Sequence, residues 1–179
     1  GKAVIIGDSK TTFNREPLFR RYGRFVESLN GKYITAEAVG TSTGDMEFIA
    51  METNHVAGKP EEMGGGGDPS PVTAYGVFLG LKAAVKFSTG SDNLKGKKVL
   101  VQGVGNVGYH LVERLLKEEA VVMISDISED RINKITSKHN VEVIGKDAIY
   151  DTAMDIYAPC ALGATINDET IQKLKCSVI

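Results

Sequence analysis

The sequence predicts an α/β chain in two parts: the first portion of a doubly wound parallel sheet, preceded by part of a separate α/β domain. Three observations carry that expectation. After Gly96, short apolar runs alternate with amphipathic stretches, as in a parallel sheet with helices packed on it. The first such run leads directly into Gly103-Val104-Gly105-Asn106-Val107-Gly108, which opens a helix. Upstream lies Gly64-Gly65-Gly66-Gly67, a run that reads as a loop or linker. The boundary is placed at or just before it, so residues 1–60 belong to the first part and 61–179 to the second.

The elements follow in order. Ala3-Val4-Ile5-Ile6, bounded by Gly7 and Asp8, predicts a strand. From Asn14 to Leu29, the apolar residues Leu18, Phe19, Tyr22, Phe25, Val26 and Leu29 fall on one helical face, and Asn30-Gly31 ends the helix. Tyr33-Ile34-Thr35-Ala36 predicts a second strand. Ser42, followed three residues later by Asp45, predicts a capping box opening a helix through Met46, Ile49 and Ala50. Ser70-Pro71 supplies a cap and first turn for a long helix reaching Gly90. Beyond it come strands at 99–101, 121–124, 141–144 and 155–158, with helices at 106–118, 129–138 and 168–174. The expected strand order is 3-2-1-4.

Composition narrows the function. Of 179 residues, 42% are apolar and 25% charged, as in a globular protein. A net charge of -2 gives no reason to expect nucleic acid or an anionic membrane as partner. No apolar run is long enough to span a bilayer. Cys160 and Cys176 stand outside any CxxC or Cys/His cluster, so neither a zinc site nor a disulfide framework is expected, and two free thiols suit the cytoplasm. His55, His110 and His139 show no ligand spacing, and no metal is expected. The opening on Gly1-Lys2 and the close on a half-strand at Cys176–Ile179 suggest a partial chain.

The glycine pattern has a physical logic. Gly103 allows a tight turn, Gly105 lets backbone N–H groups approach a pyrophosphate, and Gly108 lets the helix pack on the strand. The helix N-terminus adds unpaired donors and a positive dipole. Eighteen residues after Gly108, Asp126 ends the next strand, where an acid accepts bonds from the adenosine ribose hydroxyls. This is a Rossmann-type fingerprint. Asp126 would repel a 2′-phosphate and is followed by Ile127 and Ser128 rather than Arg, which favours NAD over NADP. Arg131 reads as a surface residue.

Four ordered motifs then resemble the glutamate/leucine/phenylalanine/valine dehydrogenases, the leucine branch most closely. They are Gly1-Lys2-Ala3-Val4-Ile5-Ile6-Gly7-Asp8, Leu29-Asn30-Gly31-Lys32-Tyr33-Ile34-Thr35-Ala36-Glu37, Asp68-Pro69-Ser70-Pro71-Val72-Thr73-Ala74-Tyr75-Gly76-Val77, and Asp155-Ile156-Tyr157-Ala158-Pro159-Cys160-Ala161-Leu162-Gly163. The resemblance implies reversible NAD-dependent oxidative deamination of an L-amino acid, and a homo-oligomer when full length. It implies that Lys2 is catalytic, that Ala36 lines the substrate pocket, and that Thr73, Ala158, Cys160 and Ala161 lie beside the nicotinamide. Ala36 is small and apolar, which fits an aliphatic or aromatic substrate and disfavours glutamate. Lys2 and Ala38 are expected on adjacent strands facing one cleft.

Two departures stand out. Ala38 occupies the position of the family Asp that shuttles protons to the amine. Glu37 is a poor substitute, since neighbouring strand residues point to opposite faces. Glu118-Glu119-Ala120 lacks the usual glycine helix cap, at an expected cost of about 1 kcal/mol. A chain of this extent is not expected to turn over alone.

Overall fold

The computed structural model describes residues 2–7 and 13–179. Asp8, which bounds the first predicted strand, and Gly1 of the first motif lie outside the described residues. The chain divides into two compact units, Gly1–Pro69 and Ser70–Ile179.

In the first unit, α1 (Arg15–Ser28) buries Phe19, Gly23 and Val26, while Phe25 is exposed. A Cβ at Gly23 would lie 2.8 Å from the Ile49 carbonyl oxygen, so the bare glycine lets α1 close on α2 (Thr43–Ala50). Asn30 (φ +49°) and Gly31 (φ +77°) turn the chain out of α1. The capping box forms as expected. The Asp45 N–H donates to Ser42 Oγ at 3.3 Å, and the Ser42 N–H donates to Asp45 Oδ2 at 2.7 Å. Asp45 is buried, and Arg15 answers it with Nε and Nη2, each at 2.7 Å. Phe19, Met46, Ile49 and Val56 form the core.

Two expected strands are absent from this unit. Residues 3–6 are exposed and form no strand. Tyr33–Ala36 contributes only a single parallel bridge, Thr35 to Val56, made by Thr35 N–H to His55 O at 3.0 Å and Ala57 N–H to Thr35 O at 2.8 Å. β-branched and aromatic residues favour a strand, but a ladder needs a neighbour of matching length. Here the neighbour supplies one residue.

The second unit opens with α3 (Ser70–Thr89), whose first residue is Ser70 itself. Then follow β1 (Lys98–Gln102), α4 (Asn106–Lys117), β2 (Val121–Ser125), α5 (Glu129–Thr136), β3 (Glu142–Val143) and β4 (Ile156–Pro159). The four strands are parallel in the order β3-β2-β1-β4, as predicted. Val99 and Val101 face one side, with Val122, Ile124, Ile156 and Ala158, and pack on α3, α4 and α5. Leu100, Met123 and Tyr157 face the other, under Ile149, Met154 and partly buried Ile166, Leu174 and Cys176. Both faces of the central strands are thus apolar, which explains their near-continuous hydrophobic runs. Val178 adds a single parallel bridge to Ile156.

The helix expected at 168–174 is replaced by turns. Asn167 Oδ1 accepts the N–H groups of Glu169 and Thr170, both at 3.0 Å, and the Thr170 hydroxyl donates to the Thr165 carbonyl at 2.9 Å. These local bonds give the backbone an alternative to helical pairing. The strand expected at 141–144 shrinks to two exposed residues.

Two expectations about stability follow. Glu119 takes the left-handed conformation, φ +58°, that a glycine would adopt freely. Glu119→Gly should therefore stabilise the protein by about 0.5–1 kcal/mol in chemical denaturation, and a loss would show that the Lys95–Glu119 ion pair at 2.8 Å matters more. For Asp45, burial pushes the carboxyl up, but bonds from Arg15 and Ser42 outweigh it and hold it below the usual range. Its stabilisation is present above the unfolded carboxylate pKa and is lost as pH falls through the depressed folded value. Asp45→Asn should cost about 2 kcal/mol at neutral pH and flatten the acid limb of the stability curve. An unchanged acid limb would contradict this.

Candidate functional site

In the second unit, β1 delivers the chain to the glycine-rich turn. Gly103 has φ +90°, and its N–H donates to the Ser125 carbonyl at 2.7 Å. A Cβ at Gly103 would stand 2.5 Å from the Ala161 nitrogen, because the loop leaving β4 runs against the turn. A Cβ at Gly108 would collide with the Gly103 carbonyl oxygen. Gly105 differs. Beside it a Cβ would meet only the Arg131 guanidinium, at 3.7 Å, so its backbone borders open space. This is the cradle expected for a pyrophosphate. No side chain caps the start of α4, and Asn106 and Val107 begin the helix directly after Gly105.

Asp126 follows the end of β2. Its Oδ2 accepts the Val104 N–H and its Oδ1 the Ser128 N–H, both at 2.8 Å, and its side chain is 2% exposed. The Val104 side chain is buried in the core, which aims its N–H at the acid. Each carboxylate oxygen keeps further lone-pair capacity beyond these bonds. Ala158 lies buried in β4, and Cys160, next in the loop, donates its N–H to the Gln102 carbonyl at 2.7 Å. Burial pushes the Cys160 thiol up, away from the reactive thiolate. Tyr157 is fully buried, with its hydroxyl bonded to the Gln102 side chain, and burial first among its causes pushes it up to about 12. Thr73 sits exposed in the first turn of α3.

The expected dinucleotide-site residues 103–108, 126, 158, 160 and 161 therefore converge at the carboxyl ends of β1, β2 and β4. Arg131, expected on the surface alone, also reaches this place. Its Nη1 lies 3.7 Å from Asp126 Oδ2. The available signal was its position in the first turn of α5, which brings it back over the strand end.

In the first unit, Lys2, Ala36 and Ala38 line one cavity of about 450 Å³, with Phe19, Met46 and Ile49 on its apolar wall. Glu37 is not among its lining residues. Burial, followed by the charges of Asp68 and Asp45, pushes the Glu37 carboxyl up, and its Oε2 is buried without a hydrogen bond. The same cavity carries hydroxyls to which the sequence pattern gave only a structural place. Tyr22 meets Thr35 Oγ1 at 3.0 Å and Tyr33 OH at 3.4 Å. The Tyr22 bond first, then Thr35, the Ala3 N–H and the Lys2 charge, outweigh burial and hold the Tyr33 phenol below its usual range. Ala38 is pinned by Thr41, whose hydroxyl accepts the Ala38 N–H at 2.9 Å and whose N–H donates to the Ala38 carbonyl at 3.1 Å.

Comparison with known proteins agrees with this geometry. The family profile described as Glutamate/Leucine/Phenylalanine/Valine dehydrogenase matches residues 64–130. The chain is 51% identical over 179 residues to a leucine dehydrogenase from Thermoactinomyces intermedius, covering all of this chain and 49% of that protein. It is 45% identical to a phenylalanine dehydrogenase from Lysinibacillus sphaericus, covering 100% of this chain and 48% of the other. The solved L-tryptophan dehydrogenase of Nostoc punctiforme superposes with a TM-score of 0.70 at 37% identity, over 97% of this chain and 48% of that one. The chain spans about half the length of the curated relatives it matches.

The close packing at Gly103 can be tested directly. Gly103→Ala adds a Cβ at positive φ against the Ala161 backbone and should destabilise the second unit by about 2 kcal/mol or more, with dinucleotide binding lost. A variant with unchanged unfolding and unchanged binding would show that the loop after β4 yields.

Proposed function

The chain belongs to the glutamate/leucine/phenylalanine/valine dehydrogenase family, and from that premise we propose that the whole protein carries out NAD-dependent, reversible oxidative deamination of a branched-chain L-amino acid to its 2-oxo acid and ammonia. The observation that supports this best is the cavity that gathers Lys2, Ala36 and Ala38. Its apolar wall suits an aliphatic side chain, and Arg15, which also lines it, is already engaged by Asp45. Phenylalanine or valine as substrate is the alternative within the same chemistry.

NAD is the proposed cofactor. The glycine turn and the first turn of α4 would hold its pyrophosphate, and Asp126 its adenosine ribose. Bound there, the nicotinamide supplies the hydride acceptor. Val104, Asn106 and Val107 contribute backbone to this cradle, Gly105 its open side, and Thr73, Ala158, Cys160 and Ala161 the nicotinamide end. In the cavity, Lys2 would polarise the substrate carbonyl and orient water, a task that depends on position more than on strength. A homo-oligomer is part of the same proposal, and exposed Val4, Ile6, Val72 and Phe87 offer apolar surface for it. Both cysteines are free thiols, which supports a cytoplasmic setting. Among the described residues no helix is long and apolar enough to cross a membrane.

Ala38 favours a second reading, a dinucleotide-binding relative with impaired catalysis. A positioned general acid or base contributes about 10²–10⁴ in rate, and Ala38 brings none. Kinetics on the full-length protein decide between them. Ala38→Asp should raise kcat at least about a hundredfold and leave NAD affinity unchanged. Equal rates in the two forms would mean that another group carries the proton.

A further inference from the structure

We propose that Arg131 is a phosphate-binding residue held back by Asp126, so that affinity for a 2′-phosphorylated dinucleotide is latent in this chain. This rests on the dinucleotide site described above and goes beyond it by assigning a specificity role to a residue outside the glycine fingerprint.

Arg131 lies five residues beyond Asp126, in the first turn of α5. Its Nη1 is 3.7 Å from Asp126 Oδ2, too far for a good hydrogen bond, and its side chain is 56% exposed. The guanidinium is therefore tethered only by charge and is free to re-aim. It is also the group that a Cβ on Gly105 would meet, at 3.7 Å from Nη1 and 3.8 Å from Cζ. Arg131 thus stands between the pyrophosphate cradle and the ribose acid, where a 2′-phosphate would project. A planar guanidinium matches phosphate oxygens in a way that a lysine does not.

Asp126 is the opposing element. Two backbone N–H groups fix it, and it cannot swing aside. A 2′-phosphate would meet this anion before it gained the cation. Exposed Glu129 and Asp130, on the same turn as Arg131, add to the repulsion but are free to turn toward water. With NAD, the ribose hydroxyls donate to Asp126 and Arg131 has no phosphate to take. Discrimination then rests on one buried acid rather than on the absence of a cation.

The test is a cycle of four full-length proteins: the wild type, Asp126→Asn, Arg131→Ala, and the double variant. Calorimetric titration with NAD⁺ and NADP⁺ reads binding without turnover. Asp126→Asn should improve NADP⁺ affinity at least about tenfold, and the double variant should lose that gain. Arg131→Ala alone should leave both NAD⁺ and NADP⁺ affinity within about threefold, because Asp126 holds the guanidinium's contribution back in the wild type. If the amide disturbs the turn at Val104 or Ser128, Asp126→Ser takes its place in the cycle, since its hydroxyl still accepts one N–H. A gain in NADP⁺ affinity that is the same with and without Arg131 overturns the proposal. So does a wild type whose NADP⁺ affinity falls about tenfold or more on Arg131→Ala, since the cation's contribution would then not be held back. A wild type that binds neither NAD⁺ nor NADP⁺ fails the underlying dinucleotide site instead.

Discussion

The loop leaving β4 presses so closely on the turn after β1 that no side chain fits between them, and the second unit is built around that approach. Gly103 must be bare for Ala161 to pass, and Gly108 must be bare for α4 to lie on the strand. The consequence is a row of backbone groups at the carboxyl ends of three parallel strands. Asp126 completes it by accepting the Val104 N–H, so the acid shapes the same loop whose ligand it is proposed to read. Loop structure and the proposed recognition share one hydrogen bond there. A substitution at Asp126 that also removed the acceptor would change both at once.

The first unit is organised differently. Its anchor is an ion pair between half-buried Arg15 and buried Asp45. Arg15 and the Ser42 backbone hold Asp45, which anchors α1 to the start of α2. That anchor sets the lip of the cavity, since Ala38 to Thr41 form the turn that leads into the capping box. Opposite them, Tyr22, Tyr33 and Thr35 put hydroxyls into an otherwise apolar space. Residue 38 brings only a methyl group to the cavity, and Glu37 beside it is turned elsewhere. Under the proposed function, chemistry in this cavity would rest on Lys2 and on the hydroxyls, without a carboxylate at residue 38.

Much of the second unit was legible in the sequence, because its strands and helices are each defined by local pattern and by sheet neighbours present in the chain. The parallel order, the glycine turn and the place of Asp126 came from spacing alone. The left-handed Glu119 was legible as a missing glycine. Elements that depend on distant partners were not. Ala3–Ile6 and Tyr33–Ala36 have strand composition, but a strand is a pairing, and only Thr35 finds one, at Val56. At 168–174 the periodicity suggested a helix, while Asn167 and Thr170 tie the backbone into turns through side chains that periodicity does not weigh. Arg131 was hidden for a similar reason. Its role comes from where α5 begins, and a charged residue on an amphipathic helix reads as solvated whichever end it occupies.

In the proposed function, the whole protein exchanges hydride with NAD at the α-carbon of an apolar amino acid. The most direct measurement follows NADH consumption by the full-length protein supplied with ammonium and a 2-oxo acid. Slow but measurable consumption is expected with the 2-oxo acid of leucine, and none with 2-oxoglutarate. Consumption with 2-oxoglutarate and none with the branched-chain acid would contradict it.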